Sequence, residues 1–164
     1  MGRLGAGGRA AAPVAAPPWK AWSAAARQDY LDNLQPSMEM PGPVDMHAII
    51  AHIQSRAPDA IITSDAGNFS GWAQRFFRYT RYRSQVAPTS GAMGYGVPAA
   101  IAARLACPTR PVIGFAGDGG FMMSGQEFAT AMHYGSDPII IVVNNGMYGT
   151  IRMHQERDYP ERVV

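Results

Sequence analysis

Two stretches decide the fold: Pro111-Val112-Ile113-Gly114-Phe115-Ala116-Gly117-Asp118-Gly119-Gly120 and Pro138-Ile139-Ile140-Ile141-Val142-Val143-Asn144-Asn145. Each is an apolar run of strand length that ends in small or polar residues. A continuous aliphatic run such as 138–143 is expected of a strand buried on both faces, as in a parallel sheet. Residues 120–143 suffice for one crossover helix, so the two runs read as parallel strands that are neighbours in space. Gly117-Asp118-Gly119 and Asn144-Asn145 then emerge side by side at their carboxyl ends.

The chain upstream repeats the pattern. Asp45 caps a helix in which Met46, Ile49, Ile50 and Ile53 recur at the spacing of one face. Ala60 to Ser64 is a short apolar run opening onto Asp65-Ala66-Gly67-Asn68, followed by a helix through Trp72 and Phe76. Gln85 to Pro88 reads as a further short strand, and Gly91 to Gly96 leads into an Ala-rich helix, Val97 to Leu105. Ser124 and Glu127 have the spacing of a capping box, which predicts a helix starting near Ser124 with Phe128, Ala131 and Met132 along one side. Strands alternating with helices predict an α/β fold, a doubly wound parallel sheet with helices on both faces. No internal repeat is visible.

Residues 1–42 read as a flexible linker or the end of a preceding domain. Met1 to Pro18 is rich in Gly, Ala and Pro and has no acidic residue, and three prolines with Gly42 mark a boundary within Gln35 to Pro43. A short helical stretch, Trp19 to Leu34, lies between. The domain itself is expected over residues 43–164, incomplete at its C-terminus. Fourteen basic and 12 acidic residues give a net charge of +2, too balanced to indicate a nucleic-acid or anionic-membrane surface. No run approaches the roughly 18 apolar residues that span a bilayer. The lone Cys107 can form neither an internal disulfide nor a thiolate cluster; it reads as a small buried hydrophobe in a reducing compartment, and a cytoplasmic location is expected.

Ligands of such sheets sit at the carboxyl ends of the strands. A carboxylate from Asp118 and an amide oxygen from Asn145 are hard donors suited to Mg2+, which takes one or two protein carboxylates and fills its octahedron with phosphate oxygens and water. Gly117, Gly119 and Gly120 let backbone approach a phosphate closely, and the helix expected near Ser124 would turn its amide end towards the anion. These residues describe a metal-bridged diphosphate site.

Gly-Asp-Gly, a helix, an aliphatic strand and Asn-Asn at this spacing resemble the diphosphate-binding motif of thiamine diphosphate enzymes. Within that family the chain is most similar to acetolactate synthases and related carboligases, through Ser90-Gly91-Ala92-Met93-Gly94-Tyr95-Gly96-Val97-Pro98-Ala99-Ala100 and Asn144-Asn145-Gly146-Met147-Tyr148-Gly149. The resemblance runs from about Pro43 to the C-terminus. It implies the thiamine diphosphate-binding fold, with Asp118 and Asn145 ligating Mg2+ by side chain and Met147 by its backbone carbonyl. It implies that Gly91 receives the aminopyrimidine's amino group on its carbonyl, that Met93 props the bent cofactor, and that Gly67, Asn68, Phe69, Gly117, Gly119, Gly120 and Tyr148 contact it. The implied reaction begins with a 2-oxo acid such as pyruvate, which loses carbon dioxide while the thiazolium ring holds the carbanion.

Three departures qualify the resemblance. Asn68-Phe69 stands where many synthases have Gln-His, removing one side-chain donor to the diphosphate. Ile151 stands where decarboxylases of the family keep a Glu, which argues for carboligation over aldehyde release. The Glu that activates the pyrimidine ring belongs, in the family, to a pyrimidine-binding domain, so no catalytic residue is expected on this chain. Its partner would be such a domain, from another chain or a missing segment, within an oligomer.

Other readings are an inactive cofactor-binding or regulatory fragment, and a nucleic-acid module built on the basic and aromatic run Arg75 to Arg83. A dinucleotide loop at Gly91 to Gly96 fails on glycine spacing. Glu127 is explained by its cap, and His47, His52 and His133 do not have zinc-site spacing. His154 follows the cofactor loop and is given no role.

Overall fold

A computed structural model describes residues 17–35 and 42–162; the Gly-, Ala- and Pro-rich start (1–16) and residues 36–41 of the proline-bearing segment lie outside them. The chain falls into two compact units, residues 1–37 and 38–164. In the first, α1 (Lys20–Asn33) fills the helical stretch read from the sequence and buries none of its residues.

In the second unit, α2 (Met46–Arg56) starts at Asp45, whose side chain accepts the Ala48 amide at 3.1 Å. Such a cap contributes about 1 kcal/mol. There follow β1 (Ile61–Ser64), α3 (Ser70–Phe76), β2 (Gln85–Val86), α4 (Gly96–Ala106) and β3 (Val112–Gly117). Next come α5 (Asp118–Ser124), a 3-10 turn (Gly125–Glu127), α6 (Phe128–Tyr134), β4 (Ile139–Val143) and α7 (Gly149–Asp158). All strand pairs are parallel and the order is β2-β1-β3-β4.

The two-residue period of the strands explains the layers. Ile62, Ile113 and Phe115 pack with Ile50 and Ile53 of α2 and with Ala73 and Phe76 of α3. On the opposite face, Ala116 packs with Val97 and Ile101 of α4 and Ala131 of α6, while Ile61 and Val112 pack with Ala100. Burying each Ile or Phe contributes roughly 1.5–3 kcal/mol. Gly114 lets α4 approach the sheet, since a Cβ there would lie 3.0 Å from that of Ala100. Buried Thr63 turns its hydroxyl to the same helix, donating to the Gly96 carbonyl at 2.9 Å.

At the amino ends of the strands a buried guanidinium gathers the backbone. Arg110 donates to the Asp59 carbonyl from Nε at 3.0 Å and from Nη2 at 2.6 Å, to the Arg83 carbonyl at 3.2 Å and to Ser84 Oγ at 2.7 Å. Its planar fork of donors can serve several carbonyls at once.

Three expectations are corrected. The capping box is not formed: α5 begins directly after β3 at Asp118, and Ser124 makes no capping bond. Glu127 instead accepts the Thr130 hydroxyl at 2.8 Å. β4 is not covered on both faces; it is an edge strand with Ile139 59% and Val142 41% exposed. Cys107 is half-buried at the end of α4. Among the described residues no helix is long and apolar enough to cross a membrane.

Candidate functional site

From β1 the chain steps outward to β2, then returns past β1 to β3 and β4. The order therefore reverses between β1 and β3, where loops diverge and leave a crevice at the carboxyl ends of the strands. A single cleft there is lined by four segments. The loop after β1 contributes Gly67, Asn68 and Phe69, and the loop before α4 contributes Gly91 and Met93. Gly117, Asp118, Gly119 and Gly120 come from the β3–α5 junction, and Asn145, Met147 and Tyr148 from the segment after β4. Every site residue singled out in the sequence thus lines the same cleft.

The junction is tight because strand passes to helix without a loop. Gly117 is extended at φ −71°, ψ 159°, and Asp118 is already the first helical residue. The Phe69 ring lies against Gly117, 3.0 Å from where a Cβ would stand, and the Tyr148 ring occupies the Cβ position of Gly119. Two aromatic rings therefore cover the glycines on either side of Asp118 in the chain. After β4, Asn144 Oδ1 accepts the Gly146 amide at 2.9 Å and Asn145 Oδ1 accepts the Met147 amide at 3.2 Å. These side-chain bonds, with Gly146 at φ 66°, fold the segment back before α7.

Asp65 underlies the cleft. It is 2% exposed, and its Oδ1 accepts the Gly96 amide at 2.5 Å. This carboxylate caps α4 from a neighbouring strand, a favourable place for negative charge. Its Oδ2 has no hydrogen-bond partner among the described residues and presses on Gly120, where no Cβ could fit. Sequence reading had placed Asp65 at a strand end and given it no role.

Among the described residues, Asp118 is the only carboxylate in the lining, and no Lys, Arg or His joins it. Among the described residues no three His, Cys, Asp or Glu side chains cluster as metal ligands. Thr150 and Ile151, at the start of α7, complete the wall. Thr150 was not foreseen; its hydroxyl reaches Asn68 Oδ1 at 3.1 Å, a pairing across 82 residues.

The Arg75 to Arg83 run turns two of its rings inward. Phe76 and Phe77 are buried in the core, Arg81 pairs with Asp59 at 3.0 Å, and the exposed ring is Tyr82. His47 lies edge-on to Phe76 at 4.8 Å, a packing contact.

A doubly wound α/β domain with glycine-lined loops meeting at its switch point is a fold built to hold a cofactor. The chain belongs to the family of thiamine pyrophosphate enzymes, as their C-terminal TPP binding domain, whose family model matches residues 65–164. It is 42% identical over 105 residues to the acetolactate synthase large subunit of Lactococcus lactis, covering 63% of this chain and 18% of that protein. It is 32% identical over 161 residues to the acetolactate synthase isozyme 1 large subunit of Escherichia coli, covering 82% of this chain and 29% of that protein. Among solved structures, the thiamine diphosphate-dependent 4-hydroxybenzoylformate decarboxylase of Rhodococcus jostii superposes with a TM-score of 0.70 at 29% identity, over 79% of this chain and 25% of that one. The chain spans about a fifth of the length of the first acetolactate synthases it matches.

Proposed function

We infer that this chain binds thiamine diphosphate through Mg2+, as the diphosphate-binding part of an acetolactate synthase-like enzyme that decarboxylates 2-oxo acids and ligates the product. The observation that carries this reading is the donor set of the cleft: Asp118, Asn145 and Met147 together, with one carboxylate and no basic side chain. A diphosphate brought beside Asp118 without a cation would meet like charge and no counter-charge. A carboxylate, an amide oxygen and a peptide carbonyl are the oxygen donors that Mg2+ prefers, and one protein carboxylate is within its usual complement. The residues fit the ion, and these three would hold it.

Gly117, Gly119 and Gly120 leave backbone exposed to the anion, with Gly67, Asn68, Phe69 and Tyr148 around it. The Gly91 carbonyl would receive the aminopyrimidine's amino group, and the Met93 side chain would support the bent cofactor. When bound, thiamine diphosphate supplies the electron sink for loss of carbon dioxide from a 2-oxo acid such as pyruvate. This chain's own contribution is position and exclusion of water. Ile151 in the cleft wall carries no proton to deliver, which favours carboligation over release of an aldehyde.

No catalytic residue is assigned to this chain. The activating Glu would come from a pyrimidine-binding domain, on another chain or another segment, within an oligomer of the cytoplasm. The test is calorimetric titration of the chain and of Asp118→Ala with thiamine diphosphate, with and without Mg2+. Magnesium-dependent binding that the substitution abolishes is expected; binding indifferent to both Mg2+ and Asp118 would overturn the reading.

A further inference from the structure

Two walls of the cleft come from chain segments far apart in sequence, and one side-chain bond joins them. Thr150 Oγ1, in the first turn of α7, donates to Asn68 Oδ1, in the loop after β1, at 3.1 Å. Both residues line the cleft. That bond engages Oδ1 and leaves the NH2 group of the same carboxamide. That group has no hydrogen-bond partner among the described residues.

The surroundings give this amide a use. No Lys, Arg or His lines the cleft, so an anionic ligand must be met by neutral donors and by any cation at Asp118. The other carboxamide of the lining, Asn145, has its Nδ2 packed 3.0 Å from where a Cβ of Gly149 would stand, and its Oδ1 accepts from Met147. Asn68 shares the cleft with Asp118 and adjoins Phe69, whose ring lies on Gly117 just before Asp118.

We propose that Thr150 is a positioning residue that holds the Asn68 carboxamide, so that the Asn68 NH2 group supplies to the diphosphate of the bound cofactor the side-chain donor that the Asn68-Phe69 departure was read as removing. The proposal rests on the reading of the cleft as a thiamine diphosphate site. An exposed amide that is free to rotate loses orientational freedom on binding; one already held by a hydroxyl loses less.

The experiment compares the full chain with Thr150→Val, Thr150→Ser, Asn68→Ala and the Thr150→Val/Asn68→Ala double variant. Each is titrated calorimetrically with thiamine diphosphate and separately with inorganic diphosphate, both with Mg2+. Thr150→Val is expected to weaken binding about five- to tenfold. Thr150→Ser, which keeps the hydroxyl, restores it, and the double variant binds no more weakly than Asn68→Ala alone. The loss is the same for inorganic diphosphate as for the whole cofactor, because the amide acts on the anionic end. Unchanged binding by Thr150→Val, additive losses in the double variant, or a loss confined to the whole cofactor would each overturn the proposal. If Asp118→Ala abolishes binding while Thr150→Val leaves it intact, the site stands and the role of Thr150 falls. If the unmodified chain binds neither ligand, both fall.

Discussion

Asp65 and Gly96 are joined by a 2.5 Å hydrogen bond from the Gly96 amide to Asp65 Oδ1, so the first residue after β1 caps the helix that begins 31 residues later. The two loops that open the cleft, those after β1 and before α4, are thereby fixed to one carboxylate. Oδ2 of that carboxylate fills the space a side chain at residue 120 would need.

This arrangement predicts coupled effects. Asp65→Ala leaves a buried amide unpaired and is expected to cost about 1–3 kcal/mol. Gly120→Ala forces a methyl against the carboxylate and should cost a similar, roughly 1–3 kcal/mol, as overpacking does. In the Asp65→Ala background the obstacle is gone, so Gly120→Ala should cost clearly less. Urea denaturation of the four proteins measures the cycle, and strict additivity would show that the two residues do not meet.

Arg110 makes a second prediction, at the other end of the sheet. Arg110→Met removes donors from the Asp59, Ala60 and Arg83 carbonyls and from Ser84 Oγ. A loss of about 2–4 kcal/mol is expected, the size of a broken buried network. Arg110→Lys should recover only part of it, since an ammonium cannot fork across the same acceptors. Full recovery by lysine would mean that charge alone matters there.

Tyr79 predicts a response to alkali. Its hydroxyl is buried without a hydrogen-bond partner among the described residues, and burial pushes its pKa up to about 12 from 10.0. The folded protein thus keeps a proton that the unfolded chain releases. The stability from this group is fully present below pH 10.0 and is lost as pH rises towards about 12. Tyr79→Phe removes that dependence and the orphaned hydroxyl together. Its stability at neutral pH should match or exceed that of the parent, and its alkaline unfolding should begin at higher pH. An identical alkaline profile in denaturation followed by circular dichroism would assign the response to other groups.

Gly119 links packing to binding. Alanine there must displace the Tyr148 ring, the far end of an exposed side chain, so melting should shift little. Its methyl would nevertheless stand on the backbone offered to a diphosphate, and affinity for thiamine diphosphate with Mg2+ should fall roughly tenfold or more, at least about 1.4 kcal/mol. A large fall in melting temperature with unchanged affinity would reverse this assignment.

The parallel sheet was legible because Ile113 to Ala116 and Ile139 to Val143 are too short for helices and end in glycine or asparagine. The meeting of Asp118 and Asn145 was legible for the same reason, since adjacent parallel strands bring their carboxyl ends together, whereas Met147 entered only through the family resemblance. The helix start was misread because Ser124 and Glu127 satisfy a local pattern, whereas the chain enters α5 straight from extended Gly117. The exposure of Ile139 and Val142 was not foreseen because an aliphatic strand has the same composition at the edge of a sheet as at its centre. Asp65 with Gly96, and Asn68 with Thr150, pair across long stretches of chain, and no periodicity announces such contacts.

The clasp of Arg110 sits at the amino ends of the strands, a sheet's length away from the glycine-lined loops. The stability that Arg110 contributes is therefore held by atoms remote from those that would meet a ligand. A protein built this way can be reinforced at its foot and re-tuned at its mouth by independent changes whose free energies add. The loops can drift in sequence towards a new ligand while the foundation goes on holding the strands in place.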